Sequence, residues 1–435
     1  MRHRKLGLLL GLAVIAFAVV STASAATSGG GSSIQVISDS QLQANSTTLG
    51  GSQVLPTDRT IPHWYGTTTD PHNGVTYGYS MVGSDPNTCS GTACSTTIQT
   101  DITPVIVNID GMTFSGNDVL AATLASPVFA GNDYGSTPYA TNGDAASTRG
   151  PGGALSQGDA GNSLQLEDAT MRAQFNQTGA SPYHLILHPN VLPAVTINVP
   201  NNQGVLLQSG RGVIFADVNY TWWASQIQNL ESSADPTHLP IYLTNNVLLH
   251  IGQDVFNCCV IGFHGTKASG YRLGNGKSNG NTKMQTFAWA SWTSPGIYAR
   301  PNGGAVWALQ DIHALSHEIS EWADDPFVDN AVEPWVTPTA PQYGCTGVME
   351  TGDPVVGIGF AMGTNTFEQG PNPNGTQSAD GYYHPEDEVF LPWFMRSSPN
   401  TISEPTQTPT ANVGRYTLMG SLNRYAGFGV PATGC

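Results

Sequence analysis

Residues 314–326 read ALSHEISEWADDP, and they place His317, Glu318 and Glu321 in the pattern H-E-x-x-E. The helix of a zinc protease reads H-E-x-x-H, in which both histidines bind the metal and the glutamate acts on a metal-bound water. Here a carboxylate takes the place of the second histidine. Because residues four apart lie on one face of a helix, His317 and Glu321 can still reach the same ion. The stretch therefore predicts a helix that carries a metal site.

The surrounding sequence predicts an amphipathic helix over residues 306–325, which Pro326 ends. An apolar stripe faces a core and consists of Ile312, Leu315, Ile319 and Trp322. The polar stripe consists of Gln310, His313, His317, Glu321 and Asp324. No Lys or Arg lies within residues 306–325, whereas a solvated helix face usually mixes cations with anions. We therefore interpret the polar stripe as a metal site, with a solvated or internally hydrogen-bonded face as the alternative.

A third metal ligand must come from another part of the chain. The stretch CTGVMETGDPVVG, residues 345–357, offers Glu350 and Asp353. We predict Glu350 as the ligand, because it lies beyond the break at Pro326, where the chain can turn back toward the helix. Asp353 is an alternative ligand, although an aspartate in this context also caps turns.

Two histidines are further candidates for the site. His264 lies in CCVIGFHGTK, residues 258–267, where glycines on both sides permit close approach of another segment. His313 precedes His317 by one helical turn and can bind an ion together with it. Eight residues, roughly 12 Å of helix, separate His313 from Glu321, so these two cannot easily share an ion.

The predicted site has three metal ligands and two catalytic residues. The predicted metal ligands are His317, Glu321 and Glu350, and the predicted catalytic residues are Glu318 and His264. Glu318 is the general base, and His264 or His313 steadies the oxyanion. The cofactor is a divalent metal, with zinc as the first choice. One nitrogen and two carboxylates form a harder site than zinc commonly has, so manganese and calcium stay open as alternatives.

The N-terminus predicts export from the cytoplasm. Residues 1–25 read MRHRKLGLLLGLAVIAFAVVSTASA, with basic residues, an apolar run and a small-residue cleavage site. These are the parts of a secretory signal peptide. The apolar run is shorter than the roughly 20 residues of a membrane-spanning helix. We therefore expect a secreted, extracellular or periplasmic protein without a membrane span.

The charge of the chain bears on its partners. There are 15 basic and 31 acidic residues, a formal net charge of -16. So acidic a chain is repelled by nucleic acid and by anionic lipid. We expect an extracellular peptide, protein or cell-envelope substrate instead, and the oligomeric state is left open.

Six cysteines in an exported chain predict disulfide bonds. The predicted pairs are Cys89–Cys94, Cys345–Cys435 and, as a more strained pair, Cys258–Cys259. The first closes a small loop, and the second ties down the C-terminus. Since no C-x-x-C pair occurs, a cysteine-ligated structural zinc is not expected.

The chain divides into four predicted parts: a signal peptide over residues 1–25, a flexible leader over 26–60, a main domain over 61–326 and a C-terminal subregion over 327–435 that completes the site. Predicted strands cover 103–109, 183–188, 213–218 and 284–292, a strand pair covers 239–252, helices cover 164–175 and 220–232, and a polar loop covers 139–163. Strands alternating with a few helices predict an α/β or α+β fold. In it, a mixed sheet packs against the H-E-x-x-E helix, and many loops are long.

Two of the motifs resemble a known family. GFHG at residues 262–265, followed by SHEISEWADDP at 316–326, is similar to the exordium-like, phosphate-induced secreted proteins of plants and to related secreted bacterial proteins. The resemblance implies secretion and a zincin-like helix. Together with the motif it predicts a secreted metal-dependent hydrolase, peptidase-like, that uses a metal-bound water. The alternative is a non-catalytic extracellular or cell-envelope protein with a structural metal site.

Overall fold

The structure is a computed structural model that describes residues 57–133, 163–177, 181–272, 278–298, 309–338, 345–367, 381–397, 416–417 and 435. The predicted signal peptide, the predicted leader up to residue 56 and residues 139–162 of the predicted polar loop lie outside these ranges.

The strands in chain order are β1 (Thr57–Arg59), β2 (His63–Thr69), β3 (Thr76–Val82), β4 (Ser95–Ile109), β5 (Met112–Ser115), β6 (Asn132–Asp133), β7 (Ser163–Leu164), β8 (His184–Val191), β9 (Val195–Asn198), β10 (Gly204–Gln208), β11 (Ile214–Asn219), β12 (Leu239–Asn245), β13 (Val247–His250), β14 (Cys258–Val260), β15 (Gly262–Arg272), β16 (Ser278–Trp292), β17 (Ala331–Val336) and β18 (Cys345–Val348). The α-helices are α1 (Asn117–Leu124), α2 (Leu166–Gln174), α3 (Tyr220–Leu230), α4 (His313–Asp324) and α5 (Leu391–Phe394). Single turns of 3-10 helix cover Gly91–Cys94, Glu231–Ser233 and Asp353–Val355.

Eight of the strands form one mixed sheet, whose central path runs β1-β16-β12-β4-β5. Strands β1 and β12 run parallel to β16, and β4 runs parallel to β12, β8 and β9. Strands β15 and β5 pair antiparallel with β16 and β4. A second sheet has the order β10-β11-β13-β14. The prediction of a mixed α/β fold with a mixed sheet is confirmed at this level.

Alternate residues of β16 enter two different cores, one on each face of the large sheet. Ala288 and Trp292 pack in the core that contains the apolar side of α4. Phe287 and Trp289 pack in the other core, together with Trp223 of α3. This alternation is the two-residue period of a strand that is buried on both faces. Helix α4 therefore lies against one face of the large sheet, and α3 lies against the other.

Helix α4 is shorter than predicted, and it is buried on every side. It begins at His313, whereas the prediction began it at residue 306; residues 306–308 lie outside the described ranges. Asp311 has a φ of 45°, which a right-handed helix does not accommodate, and its side chain accepts a hydrogen bond from the backbone N–H of Ile312. All residues of α4 are buried, so the alternative of a solvated polar face is wrong.

The predicted strand pair over residues 239–252 is not a hairpin. The two segments are strands, but β12 belongs to the large sheet and β13 to the second sheet. Asn246, between them, has a φ of 55°, which asparagine tolerates better than most residues. Its backbone N–H donates to the carbonyl of Trp292 in β16, and its carbonyl accepts from Ala216 in β11. Asn246 is thus the point at which the chain crosses from one sheet to the other.

Three boundaries also differ from the predictions. Thr57–Arg59 was expected to belong to the flexible leader, but it pairs with β16 as β1. Strand β8 was predicted to end before Pro189 but continues to Val191. In the described residues β8 pairs only with β4. The missing N–H of Pro189 is therefore tolerated, because no second strand needs it as a hydrogen-bond donor. Helix α2 begins at Leu166 without a side-chain cap, whereas the predicted helix began at residue 164.

All three predicted disulfides are present and are therefore confirmed: Cys89–Cys94, Cys258–Cys259 and Cys345–Cys435. Among the described residues, no helix combines the length and the apolar character needed to cross a membrane.

Candidate metal centre

The sheet register turns His264 toward helix α4. In the pairing of β15 with β16, His264 lies opposite Ala288 and Phe263 lies opposite Trp289. Since cross-strand partners share a face of the sheet, Phe263 enters the core around α3 and His264 enters the core around α4. Gly262, two residues before His264, points to the same side. The GFHG motif thus places one imidazole under the H-E-x-x-E helix.

His264 lies between the two glutamates of the helix motif. Its Nδ1 is 3.5 Å from Oε2 of Glu318 and 3.4 Å from Oε2 of Glu321. Its Nε2 is 3.9 Å from Oε2 of Glu350. Only 4% of its surface is exposed. Gly262 makes this approach possible, because a Cβ at this position would lie 2.5 Å from Oε1 of Glu318.

His317 lies on the other side of Glu321. Its Nε2 is 3.1 Å from Oε1 of Glu321 and 3.9 Å from Oδ1 of Asp353. Although the first distance is short, the two atoms are not aligned as a hydrogen bond, and Nε2 has no hydrogen-bond partner. The backbone of Gly352 packs against the imidazole so closely that any Cβ there would collide with the ring. Its N–H donates a hydrogen bond of 3.2 Å to Oε1 of Glu321.

A second carboxylate holds the opposite side of the His317 ring. Nδ1 of His317 forms a hydrogen bond of 2.5 Å with Oε2 of Glu386. Glu386 is itself fixed to α4, because its backbone N–H donates to the hydroxyl of Ser316. Nε2 of His313 also lies 3.2 Å from Oε2 of Glu386. A carboxylate on Nδ1 sets the tautomer of a histidine and leaves Nε2 for a metal.

The charges of the site fix the ionisation of its central carboxylate. Burial works to raise the pKa of Glu321, but His317 and His264 lower it to about 2. Burial works to lower the pKa of His264, but the adjacent Glu318 and Glu321 raise it to about 10. Burial raises the pKa of Glu386 to about 8, although His317 opposes the shift. Glu321 is thus the carboxylate that its surroundings hold most firmly in the anionic form.

The donor set fits a divalent cation. Two sets of three residues each offer ligand atoms within 4.8 Å of one another: His264 with Glu318 and Glu321, and His317 with Glu321 and Asp353. Bonds of about 2.1 Å to one ion in tetrahedral geometry hold ligand atoms about 3.4 Å apart, close to the separations found here.

Buried polar atoms without partners support the same interpretation. They are Nδ1 and Nε2 of His264, Nε2 of His317, Oε2 of Glu318 and Oε2 of Glu321. Leaving buried charges uncompensated costs several kcal/mol for each ion, and cations bound between these side chains would reduce that cost.

The structure brings most of the predicted site residues together, but it groups them differently from the prediction. Asp353, the predicted alternative, joins His317 and Glu321, whereas Glu350, the predicted third ligand, approaches His264. His264 lies against the helix carboxylates at the distances expected of a ligand. His313 belongs to neither set of three and contacts Glu386 instead.

Glu386 was not predicted. It lies in HPEDEVFLPWF, residues 384–394, where three carboxylates stand beside an apolar run without Lys or Arg. Acidic residues without nearby Lys or Arg are also the feature that indicated a metal site in residues 306–325. The sequence therefore contained a signal for Glu386.

A small cavity adjoins the site. It is lined by Ile261, His313, Ala314, His317, Glu318, Val356 and Glu386. His317 and Glu318 therefore border a space beside the ligand atoms, whereas every residue of the two ligand sets is buried, with Asp353 the most exposed at 8%.

The chain matches no protein-family model, no curated protein and no solved structure. Its function is therefore inferred from the geometry of the site and from the features of the sequence.

Proposed function

We propose that this chain is a secreted, metal-dependent hydrolase that acts on an extracellular peptide, protein or cell-envelope substrate. The observation that carries the proposal is the convergence of His317, Glu321 and Asp353, whose ligand atoms lie within 4.8 Å of one another in a buried site. One nitrogen and two carboxylates suit zinc or manganese among the common divalent ions. The resemblance of the two motifs to the exordium-like secreted proteins belongs to the same proposal.

Each residue around this site has a role in the proposed reaction. When bound, the ion supplies a Lewis acid that makes a coordinated water nucleophilic near neutral pH and polarises a substrate carbonyl. Glu318 lines the small cavity beside His317 and takes the proton of the water. Glu386 holds His317 with Nε2 directed at the ion. His264 lies beside Glu318, with Nδ1 3.5 Å from Oε2, and its charge favours the ionised carboxylate.

Two features support secretion. Residues 1–25 have the composition of a signal peptide. The three disulfides are of the kind that forms and persists in an oxidising compartment.

The burial of the site favours a second candidate function, a structural ion in a non-catalytic extracellular protein. Structural metal sites are closed, whereas catalytic sites keep a position open for water or substrate. The ligand residues here are at most 8% exposed. In this second function the ion would stabilise the contact between α4 and the segment around Asp353.

Metal analysis and a peptidase assay test the proposal together. The purified mature protein is analysed for bound metal and is assayed on casein and on a peptide library, with and without a chelator. A hydrolase should contain a stoichiometric divalent ion and lose activity with the chelator. Bound ion without hydrolysis, with a melting temperature that falls on chelation, would support the structural function instead. A chain without any stoichiometric ion would contradict both.

Variants locate the ion. His317→Ala and Asp353→Asn should each lose the ion and the activity. His250→Ala is the matched control, because His250 is also a buried histidine next to a carboxylate, with Nδ1 3.1 Å from Oδ2 of Asp217, but it lies in the second sheet. This control should keep the ion.

A further inference from the structure

The two carboxylate oxygens of Glu321 face different histidines. Oε1 lies 3.1 Å from Nε2 of His317, and Oε2 lies 3.4 Å from Nδ1 of His264. Each histidine has a further carboxylate beside the same nitrogen, Asp353 at 3.9 Å from His317 and Glu318 at 3.5 Å from His264. Glu321 therefore stands between two equivalent sets of one nitrogen and two oxygens.

We infer that the centre binds two divalent cations bridged by Glu321, the second held by His264, Glu318 and Glu321. This inference rests on the proposed function for the first ion, which His317, Glu321 and Asp353 hold. It deepens that function, because it assigns a second metal site and makes the hydrolase a two-metal enzyme.

Distances argue against one ion that serves both histidines. Metal bonds of 2.0–2.2 Å allow two ligand atoms of one ion to lie at most about 4.4 Å apart. In the described part of the chain, the sets of three ligand atoms within 4.8 Å of one another are the two that share Glu321, and neither set contains both histidines. The arrangement as it stands provides for two ions, with one oxygen of Glu321 directed at each.

The ligand atoms of the second set have fewer hydrogen-bond partners than those of the first set. Nδ1 of His264, Oε2 of Glu318 and Oε2 of Glu321 are all buried, and none of the three has a hydrogen-bond partner. Three such atoms directed at one another cost several kcal/mol unless a cation lies between them. Gly262 keeps room for this approach, since a Cβ there would strike the Glu318 carboxylate.

The second ion changes the role of Glu318. Oε2 of Glu318 becomes a metal ligand, and Oε1 remains to accept the proton of the water. Two ions in such a pair would lie about 3.5–4 Å apart, and together they would stabilise the attacking oxygen and the negative charge that develops on the substrate carbonyl oxygen. A single carboxylate bridge such as Glu321 spans that separation.

A titration with Mn²⁺ tests the inference. The mature full-length protein is stripped with a chelator, dialysed, and titrated while bound metal is counted and the EPR spectrum is recorded. We expect two Mn²⁺ per chain, and an exchange-coupled spectrum that replaces the isolated-ion spectrum as the second equivalent binds. One ion per chain with an isolated-ion spectrum throughout would overturn the inference.

Variants separate the second site from the first. His264→Ala should reduce the count from two to one and abolish the coupled spectrum, whereas Glu321→Ala should reduce the count to zero. His250→Ala, the buried histidine of the second sheet, should keep two. Near-ultraviolet circular dichroism checks that each variant is folded. If a variant is not folded, the Mn²⁺ count and the EPR spectrum of the unmodified protein still decide between one ion and two.

The outcomes distinguish this inference from the proposed function. A single ion that His317→Ala removes and His264→Ala retains would overturn the second site and leave the proposed hydrolase intact. A protein that binds no Mn²⁺ would overturn both. Two bound ions without chelator-sensitive hydrolysis would support the second site and contradict the enzyme.

Discussion

His317 and Glu386 lie 69 positions apart in the chain and are joined by a hydrogen bond of 2.5 Å between Nδ1 and Oε2. The carboxylate keeps a proton on Nδ1, so that the lone pair of Nε2 points toward Glu321 and Asp353. Glu386 itself belongs to neither set of three ligand residues. It is a positioning residue, and its effect on the site passes through the orientation of one ring.

Replacing Glu386 by glutamine should weaken metal binding without removing a ligand. An amide in this position is a poorer acceptor for the imidazole N–H, and loss of such a partner typically costs 10–100-fold in metal affinity. The dissociation constant for Mn²⁺, measured by calorimetry, checks this. Glu231→Gln, at another buried glutamate beside Tyr242, serves as the control and should leave the affinity unchanged. An unaltered affinity in Glu386→Gln would show that Glu386 does not position His317 for metal binding.

Replacing Gly352 by alanine should damage the site by collision. The residue has a φ of -81°, which suits alanine, so backbone strain is not the cause of the effect. Its Cβ would strike the His317 ring. We expect a loss of about 1–3 kcal/mol of stability from overpacking and weaker metal binding. Gly347→Ala is the matched control, because a Cβ there meets its nearest atom, the Val332 carbonyl oxygen, at an ordinary 3.5 Å. Equal behaviour of the two variants would contradict the close contact.

The buried carboxyl of Glu231 should make stability depend on pH. Burial raises its pKa from 4.5 to about 8, against the opposing effects of Tyr242 and Lys267. Because the folded state holds this proton more tightly than the unfolded state, stability falls as pH rises from about 4.5 to 8. The difference amounts to roughly 4 kcal/mol.

Urea unfolding at pH 5 and at pH 8.5 measures this contribution. Glu231→Gln should remove it, so that the variant is more stable than the unmodified protein at pH 8.5. Asp254→Asn, at an exposed position whose backbone contacts an asparagine can keep, should not change the profile. Parallel pH profiles for Glu231→Gln and the unmodified protein would contradict the prediction.

The disulfides should contribute unequally to stability. Cys345 and Cys435 are separated by 90 positions, whereas Cys89 and Cys94 are separated by five. In the chain-entropy account, the long loop contributes about 4–5 kcal/mol and the short loop about 2 kcal/mol. Denaturant unfolding of the two double serine variants compares them. A larger loss on removing the short-loop pair would show that the order is set by something other than loop closure.

The sequence predicted the parts of the site whose signal is local. The spacing of His317 and Glu321, and the absence of Lys and Arg from residues 306–325, pointed to a metal site without any knowledge of the fold. The glycines of GFHG indicated a close approach, and Gly262 makes one with Glu318. Each of these features can be recognised from a short stretch of the sequence.

The parts that the sequence did not predict depend on distant pairing. Residues 239–252 were predicted as a strand pair, because two adjacent apolar segments are connected there through the turn residues Asn245 and Asn246. Their partners, β4 and β16 for one and β11 and β14 for the other, are remote in sequence and decide otherwise. The choice between Glu350 and Asp353 likewise depends on how one turn after β18 is oriented, which no local pattern specifies.

The proposed ligands and the residue that positions one of them come from separate stretches of chain, with His264 on β15, His317 and Glu321 on α4, and Asp353 and Glu386 beyond β18. Both sets are complete only when the chain has been synthesised past residue 353, so both ions could stabilise only a chain that has reached that point and has folded. A chain truncated between residues 353 and 386 would keep the strands of the large sheet and both ligand sets but would lack Glu386 on the His317 ring. Tightly bound metal would thus distinguish chains that extend past residue 386 from shorter chains, which would hold the same ions more weakly.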